Sequence, residues 1–253
     1  MLTRCLDKGR SAVAAGYSNG QINIFNYISK ALIASFRGHS SAVSCLTQSS
    51  VGSGDSTLQL ASGGCDCDIV VWDLGGMTAV CRLRGHKDVV TDVAFVPTSA
   101  SSSRRLLVSG SKDALLKVWC LDAKCCVQTI VGHRCEIWSV AMLSSPSGAV
   151  CVSGGADGRL RGVAVTASAA DGARAAAAEG DGEDDGDNVL TPMGEIATQC
   201  GADKCVGLRQ NTAGSLLAAQ SAGKLVEVRR TRLCTQTIIH PLPPPSSALS
   251  LPI

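Results

Sequence analysis

Aromatic residues are scarce. Three Trp, three Phe and two Tyr make up 3% of the 253 residues. A groove for single-stranded nucleic acid stacks bases on aromatics set among basic residues. The basic residues here are scattered instead: Arg82, Arg84 and Lys87 in one stretch, Arg104-Arg105 in a second, Arg229, Arg230 and Arg232 in a third. They read as solvated side chains. Neither sign of charge prevails, because the formal net charge is +2, so no bulk field draws in nucleic acid or a membrane. No apolar run approaches the roughly 20 residues of a membrane span. The opening MLTRCLDKGRSAVAAG carries charges where a secretory leader needs an apolar core. There is no P-loop, dinucleotide fingerprint or H-E-x-x-H. The sequence therefore offers no cofactor, no membrane and no small-molecule substrate.

Cysteine, by contrast, is plentiful at thirteen, an odd number. Cys45, Cys81, Cys120 and Cys151 fall within apolar runs, where a thiol serves as a small hydrophobe. The reading is an intracellular chain with reduced thiols. Zinc sites favour Cys pairs two to four residues apart with a second pair to match. Cys65-x-Cys67 and Cys125-Cys126 do not fit that spacing, so no metal site is assigned.

The chain is organised by a repeat. Gly-His stands at 38–39, 85–86 and 132–133, so His39, His86 and His133 lie 47 residues apart. Ser-Gly stands at 62–63, 109–110 and 153–154. Between these markers run short segments that alternate apolar and polar, such as Val89, Thr91, Val93, Phe95 and then Leu116, Val118. Period-2 alternation bounded by turn residues predicts half-buried strands. One small antiparallel sheet cannot bury both of its faces, so successive sheets must stack around an axis. The predicted fold class is all-β, a β-propeller. At about 40–47 residues per blade a seven-bladed ring needs roughly 300 residues. The prediction is an incomplete ring of about four to five blades.

Within each unit four residue types recur at fixed offsets: His39, Ser62, Asp66 and Trp72; then His86, Ser109, Asp113 and Trp119; then His133, Ser153 and Asp157, with Val163 in place of the Trp. A turn Asp can fix the His tautomer, and a Ser hydroxyl can join the imidazole to the indole N–H. Buried polar groups require such partners. These sets are expected to be structural tetrads, not catalytic ones, because an active site occurs once and these recur. Gly16-Tyr17-Ser18-Asn19-Gly20 matches G-x-S-x-G to the letter. That motif acts on a strand–turn–helix elbow, whereas the next segment here, QINIF, alternates as a strand does. No catalytic residue is assigned.

In chain order, 1–36 reads as a partial first blade, with Asn19 at the Asp position and Phe25 at the Trp position. Residues 37–83 and 84–130 are two complete repeats, each with a polar insertion, at Gln48 to Thr57 and Pro97 to Arg105. Residues 131–166 form a third repeat with a degenerate third strand. Residues 167–200 are rich in Ala, Gly and acid, with six acidic residues between Glu179 and Asp187. This composition cannot build a core, and the segment is expected to be a disordered, solvated insertion. Blade-like patterning returns over 201–240 without Gly-His or Trp-Asp, as a divergent blade. Residues 241–253 form a proline-rich tail, expected to be extended.

These repeats have the wording of WD repeats, with Trp72-Asp73 as the eponymous dipeptide. Their order is GYSNGQINIF, FRGH, SGGCDCDIVVWDL, CRLRGHKDVVT, SGSKDALLKVW, TIVGHRCEIWSV and SGGADGRLR. Over roughly residues 13–230 it resembles the first propeller of the large WD-repeat proteins in the UtpB subcomplex of the small-subunit processome. The pieces that carry the resemblance are Asp66-x-Asp68-Ile69-Val70-Val71-Trp72-Asp73, Arg82-Leu83-x-Gly85-His86-Lys87-Asp88 and Val131-Gly132-His133-Arg134-x-Glu136-x-Trp138. Members of that family carry two tandem propellers and a helical domain, so the chain reads as a piece of the first ring. The resemblance implies a noncatalytic scaffold in the nucleus, at the nucleolus. Its partners would be other WD-repeat and processome proteins, with small nucleolar RNA and pre-rRNA in the same assembly. The alternative is a WD-repeat adaptor of another complex, such as a ubiquitin-ligase substrate receptor.

Overall fold

The computed structural model describes residues 2–6, 12–49, 58–97, 105–145, 148–165, 190–197, 205–210, 216–221 and 226–230. Among these there are nineteen strands and no helix. They form five antiparallel meanders. The first sheet holds β1 (Leu2–Leu6), β2 (Ala12–Gly16), β3 (Gln21–Asn26) and β4 (Leu32–Arg37). The second holds β5 (Val43–Gln48), β6 (Gln59–Gly64), β7 (Ile69–Asp73) and β8 (Thr78–Leu83). The third holds β9 (Val90–Phe95), β10 (Leu106–Ser111), β11 (Leu115–Cys120) and β12 (Cys125–Val131). The fourth holds β13 (Ile137–Ser145), β14 (Gly148–Gly155), β15 (Arg159–Val165) and β16 (Leu190–Ala197). The fifth has three strands, β17 (Cys205–Gln210), β18 (Leu216–Ser221) and β19 (Val226–Arg230).

The first strands of successive sheets pack side by side: β1 on β5, β5 on β9, β9 on β13, β13 on β17. The arrangement is an incomplete β-propeller. Its core is divided into layers, one between each pair of neighbouring sheets. Alternation along each strand makes this possible, because successive side chains point to opposite faces. On β7, Val70 and Trp72 face the first sheet and pack with Ile22, Ile24 and Phe36. Ile69 and Val71 face the third sheet and pack with Val90, Leu107 and Trp119. The layer between third and fourth sheets holds Val108, Leu116, Val118, Ile137, Val140, Cys151 and Val163. The last holds Ala141, Leu143, Val150, Val152 and Leu160 against Cys205, Leu208 and Ala219.

The glycines of the Ser-Gly pairs set how closely the sheets approach. A Cβ on Gly63 would lie 2.7 Å from Val90 Cγ1, one on Gly110 2.7 Å from Ile137 Cγ2, and one on Gly154 2.6 Å from Cys205 Sγ. Each space is filled by a side chain of the next sheet's first strand, so a methyl group there would push two blades apart.

Two boundaries differ from the sequence reading. The first blade, expected to lack its beginning, is a four-stranded sheet, because Leu2–Leu6 pairs with Ala12–Gly16. The third repeat does not end at 166. Residues 190–197, which the reading gave to the insertion, pair with β15 as the fourth strand. Pro192 sits in that strand, and an edge strand tolerates the missing N–H. Residues 166–189, the proline-rich tail and the tips of both polar insertions lie outside the described residues.

Candidate functional site

Gly16 ends β2, and Tyr17 to Gly20 turn directly into β3. Ser18 thus sits in a hairpin turn, and Asn19 Oδ1 accepts the Gln21 N–H at 3.1 Å. The strand–turn–helix context of the hydrolase motif is not met here.

The repeated sets are brought together in space. In the second sheet Trp72 Nε1–H donates to Ser62 Oγ at 2.9 Å. Ser62 Oγ lies 2.8 Å from His39 Nε2, and His39 Nδ1 lies 2.9 Å from Asp66 Oδ1. The Ser40 N–H donates to Asp66 Oδ2 at 2.8 Å. The third sheet repeats the chain: Trp119 to Ser109 at 2.8 Å, Ser109 to His86 at 2.7 Å, His86 to Asp113 at 2.8 Å, and the Lys87 N–H to Asp113 at 3.0 Å. With the carboxylate accepting from Nδ1–H, Nε2 is left as the acceptor for the Ser hydroxyl, whose oxygen in turn accepts the indole N–H. In the fourth sheet Ser153 Oγ lies 2.7 Å from His133 Nε2. Asp157 Oδ1 accepts the Arg159 N–H at 3.1 Å. Asp157 and His133 flank Gly155 just as Asp66 and His39 flank Gly64.

The order Ser–His–Asp is that of a serine-hydrolase triad, but the setting differs. Ser62, Ser109 and Ser153 are each 0% exposed. In two sheets the serine oxygen is also taken by an indole. The sets tie the connection that enters each blade, and the turn between its second and third strands, to those two middle strands.

Electrostatics keep the polar chain charged at one end. Burial acts to raise the Asp113 pKa. The Lys87 N–H and His86 outweigh it, so the carboxyl sits below the usual range. At Asp66 burial likewise opposes ionisation, and bonds from His39 and the Ser40 N–H overcome it. Burial lowers the pKa of His86, and the Asp113 bond offsets only part of that. The stable pair is thus a neutral imidazole against a carboxylate.

Other residues stitch blades together, and the sequence reading passed them over. Ser44 Oγ–H donates to the Val90 carbonyl. Thr91 Oγ1–H reaches the Ile137 carbonyl at 2.7 Å. Asp92 Oδ2 accepts from Ser139 Oγ at 3.1 Å and from the Val140 N–H at 2.9 Å, and Ser139 Oγ accepts the Leu208 N–H at 2.9 Å. A signal was available, since Ser44 and Thr91 share one repeat position and Cys45, Asp92 and Ser139 the next.

Cys65 and Cys67 flank Asp66 in the turn, with Cys67 at a φ of 65°. Among the described residues no three His, Cys, Asp or Glu side chains are grouped to hold a metal ion.

No curated protein matches the chain. Residues 30–73, 77–120 and 124–161 match the family described as WD domain, G-beta repeat. The first two matched segments each take the last strand of one sheet and the first three of the next. Three of its segments are WD40 repeats, and the chain is a WD-repeat protein.

Proposed function

We propose that the chain is a noncatalytic scaffold of the small-subunit processome, acting in the nucleolus in pre-rRNA processing and small-subunit maturation. WD40 repeats serve as protein-interaction scaffolds, and proteins built from them are typically non-catalytic. One observation carries the finer reading: the ordered wording of the repeats from Gly16 to Arg161, above all the segments around Asp66 to Asp73, Arg82 to Asp88 and Val131 to Trp138. The partners are other WD-repeat and processome proteins, with small nucleolar RNA and pre-rRNA in the same particle. Contacts are made by loops at the two ends of the propeller, where a rigid scaffold leaves side chains available.

Gradient sedimentation of the tagged chain from cell extract tests this. The expected result is co-sedimentation with particles that contain pre-rRNA and small nucleolar RNA. A chain that stays in the light fractions and co-purifies with ubiquitin-ligase adaptors overturns it.

A further inference from the structure

The first sheet keeps an apolar strip in a place where the next two sheets are covered. Tyr27 stands two residues after Phe25, as Leu74 does after Trp72 and Leu121 after Trp119. Leu74 packs in the layer against the first sheet and Leu121 in the layer against the second, at 8% and 2% exposure. Tyr27 is 62% exposed. Opposite Phe25 across the hairpin stands Leu32, where Trp72 has Ala79 and Trp119 has Cys126. Ile28, Leu32 and Ile33 are exposed as well. Of the seven large apolar side chains exposed among the described residues, four thus lie within Tyr27 to Ile33. Single exposed apolar residues are ordinary, whereas a group of them marks an interaction site.

The strip borders an open edge. β4 pairs with β3 alone and ends its sheet. It lies on the outside, because the first strands of the sheets pack together at the centre. An edge strand offers a row of unmet backbone N–H and C=O groups. Lys30 and Arg37 bracket the strand, and both are exposed. Neither takes part in an ion pair among the described residues. At about 3.3 Å per residue they stand roughly 20 Å apart.

We propose that β4 takes a further strand from a protein partner: an extended segment of alternating apolar residues with an acidic residue near each end. Such a segment meets three features at once. Its backbone pairs with the edge, its apolar side chains lie beside Leu32 across the new strand pair, and its acids face Lys30 and Arg37. A helix would cover the apolar strip and leave the edge amides unmet. The contact is separate from the loops at the two ends of the propeller.

The test is fluorescence anisotropy on the full chain with a labelled nine-residue peptide that alternates valine and threonine between two terminal glutamates. Saturable binding is expected. Two further versions carry N-methyl groups on the valine nitrogens or on the threonine nitrogens. One should lose at least tenfold and the other little, because only one row of N–H groups faces β4. Ile28→Lys combined with Leu32→Lys should weaken binding at least tenfold, and Lys30→Glu combined with Arg37→Glu by about as much. Val127→Lys, on the outer strand of the third sheet, should change it less than twofold, with the fold of each variant checked by circular dichroism. The proposal is overturned if the peptide does not bind, if the two methylated versions bind alike, if a version with lysine ends binds as tightly, or if Val127→Lys costs as much as the paired lysine change. It is also overturned if sedimentation equilibrium shows a dimer that the paired lysine change makes monomeric, since a second copy then fills the edge. Gradient sedimentation from cell extract decides the assembly reading by itself, and peptide binding decides the edge.

Discussion

The third and fourth sheets share a Gly-His entry, a buried Ser–His bond and an Asp in the same turn, yet they are stabilised differently. In the third, Trp119 is 1% exposed and reaches both the apolar layer and Ser109. In the fourth, Val163 fills only the apolar part of that role, and an arginine stem lies where the ring would be. One residue joins the polar chain to the core in the first case. In the second the two are separate, and the freed space opens toward solvent. A repeat can thus keep its turn chemistry after its third strand has lost the indole.

The contrast between the two sheets breaks most readily at the tryptophan. Trp119→Ala should lose about 3–5 kcal/mol, from the vacated volume together with the serine left without its indole donor. Val163→Ala should lose roughly 1 kcal/mol, in line with the few methyl groups removed. Urea unfolding of both variants checks this, and equal losses would mean that the two positions are not equivalent. Next in size is the serine. Ser109→Ala strands two buried partners and should cost about 1–3 kcal/mol, more than Ser153→Ala in the same assay. The entry glycines sharpen the contrast further. Gly38→Ala, whose methyl would meet Trp72, should cost about 1 kcal/mol or more. Gly132→Ala meets only the flexible Arg161 stem and should stay within about 0.5 kcal/mol.

The smallest effect is a pH dependence. His86 has a folded pKa below its ordinary 6.5, so the unfolded chain binds its proton first. Stability is full above that value and falls as pH drops below it toward the folded pKa. Asp113 and Asp66, also lowered, add a second loss as pH falls from their ordinary 3.8 through their folded values. Urea midpoints between pH 7.5 and 5.5 should decline, and His86→Gln should flatten that decline.

Much of this was legible because the tetrad residues have few substitutes. Few side chains can supply a chain that runs from indole N–H through hydroxyl and imidazole to carboxylate, so constant spacing exposes it. The stitching bonds of Ser44, Thr91 and Asp92 end on backbone groups of the next blade. Many polar side chains can supply them, so the repeat position varies and the signal fades. The strand Leu190–Ala197 was hidden because it follows a 24-residue insertion and contains Pro192 and Gly194, which break the alternation. The cleft lined by Gly132, Arg134, Asp157 and Arg161 was out of reach for a different reason. The loss of the Trp could be read at Val163, but the re-use of its space by Arg161 depends on where a side chain two residues away comes to rest.

The cysteines have a consequence of their own. Cys45 and Cys81 are buried in the second sheet, Cys120, Cys151 and Cys205 in the third, fourth and fifth, and Cys151 is wholly enclosed with its pKa pushed up to about 12. A thiol in that state reacts only when its blade opens. Cys65, Cys125 and Cys126 stand exposed beside them as an immediate reference. The chain therefore carries its own set of clocks, and the order in which an alkylating reagent reaches the buried thiols would report, blade by blade, where the ring first comes apart.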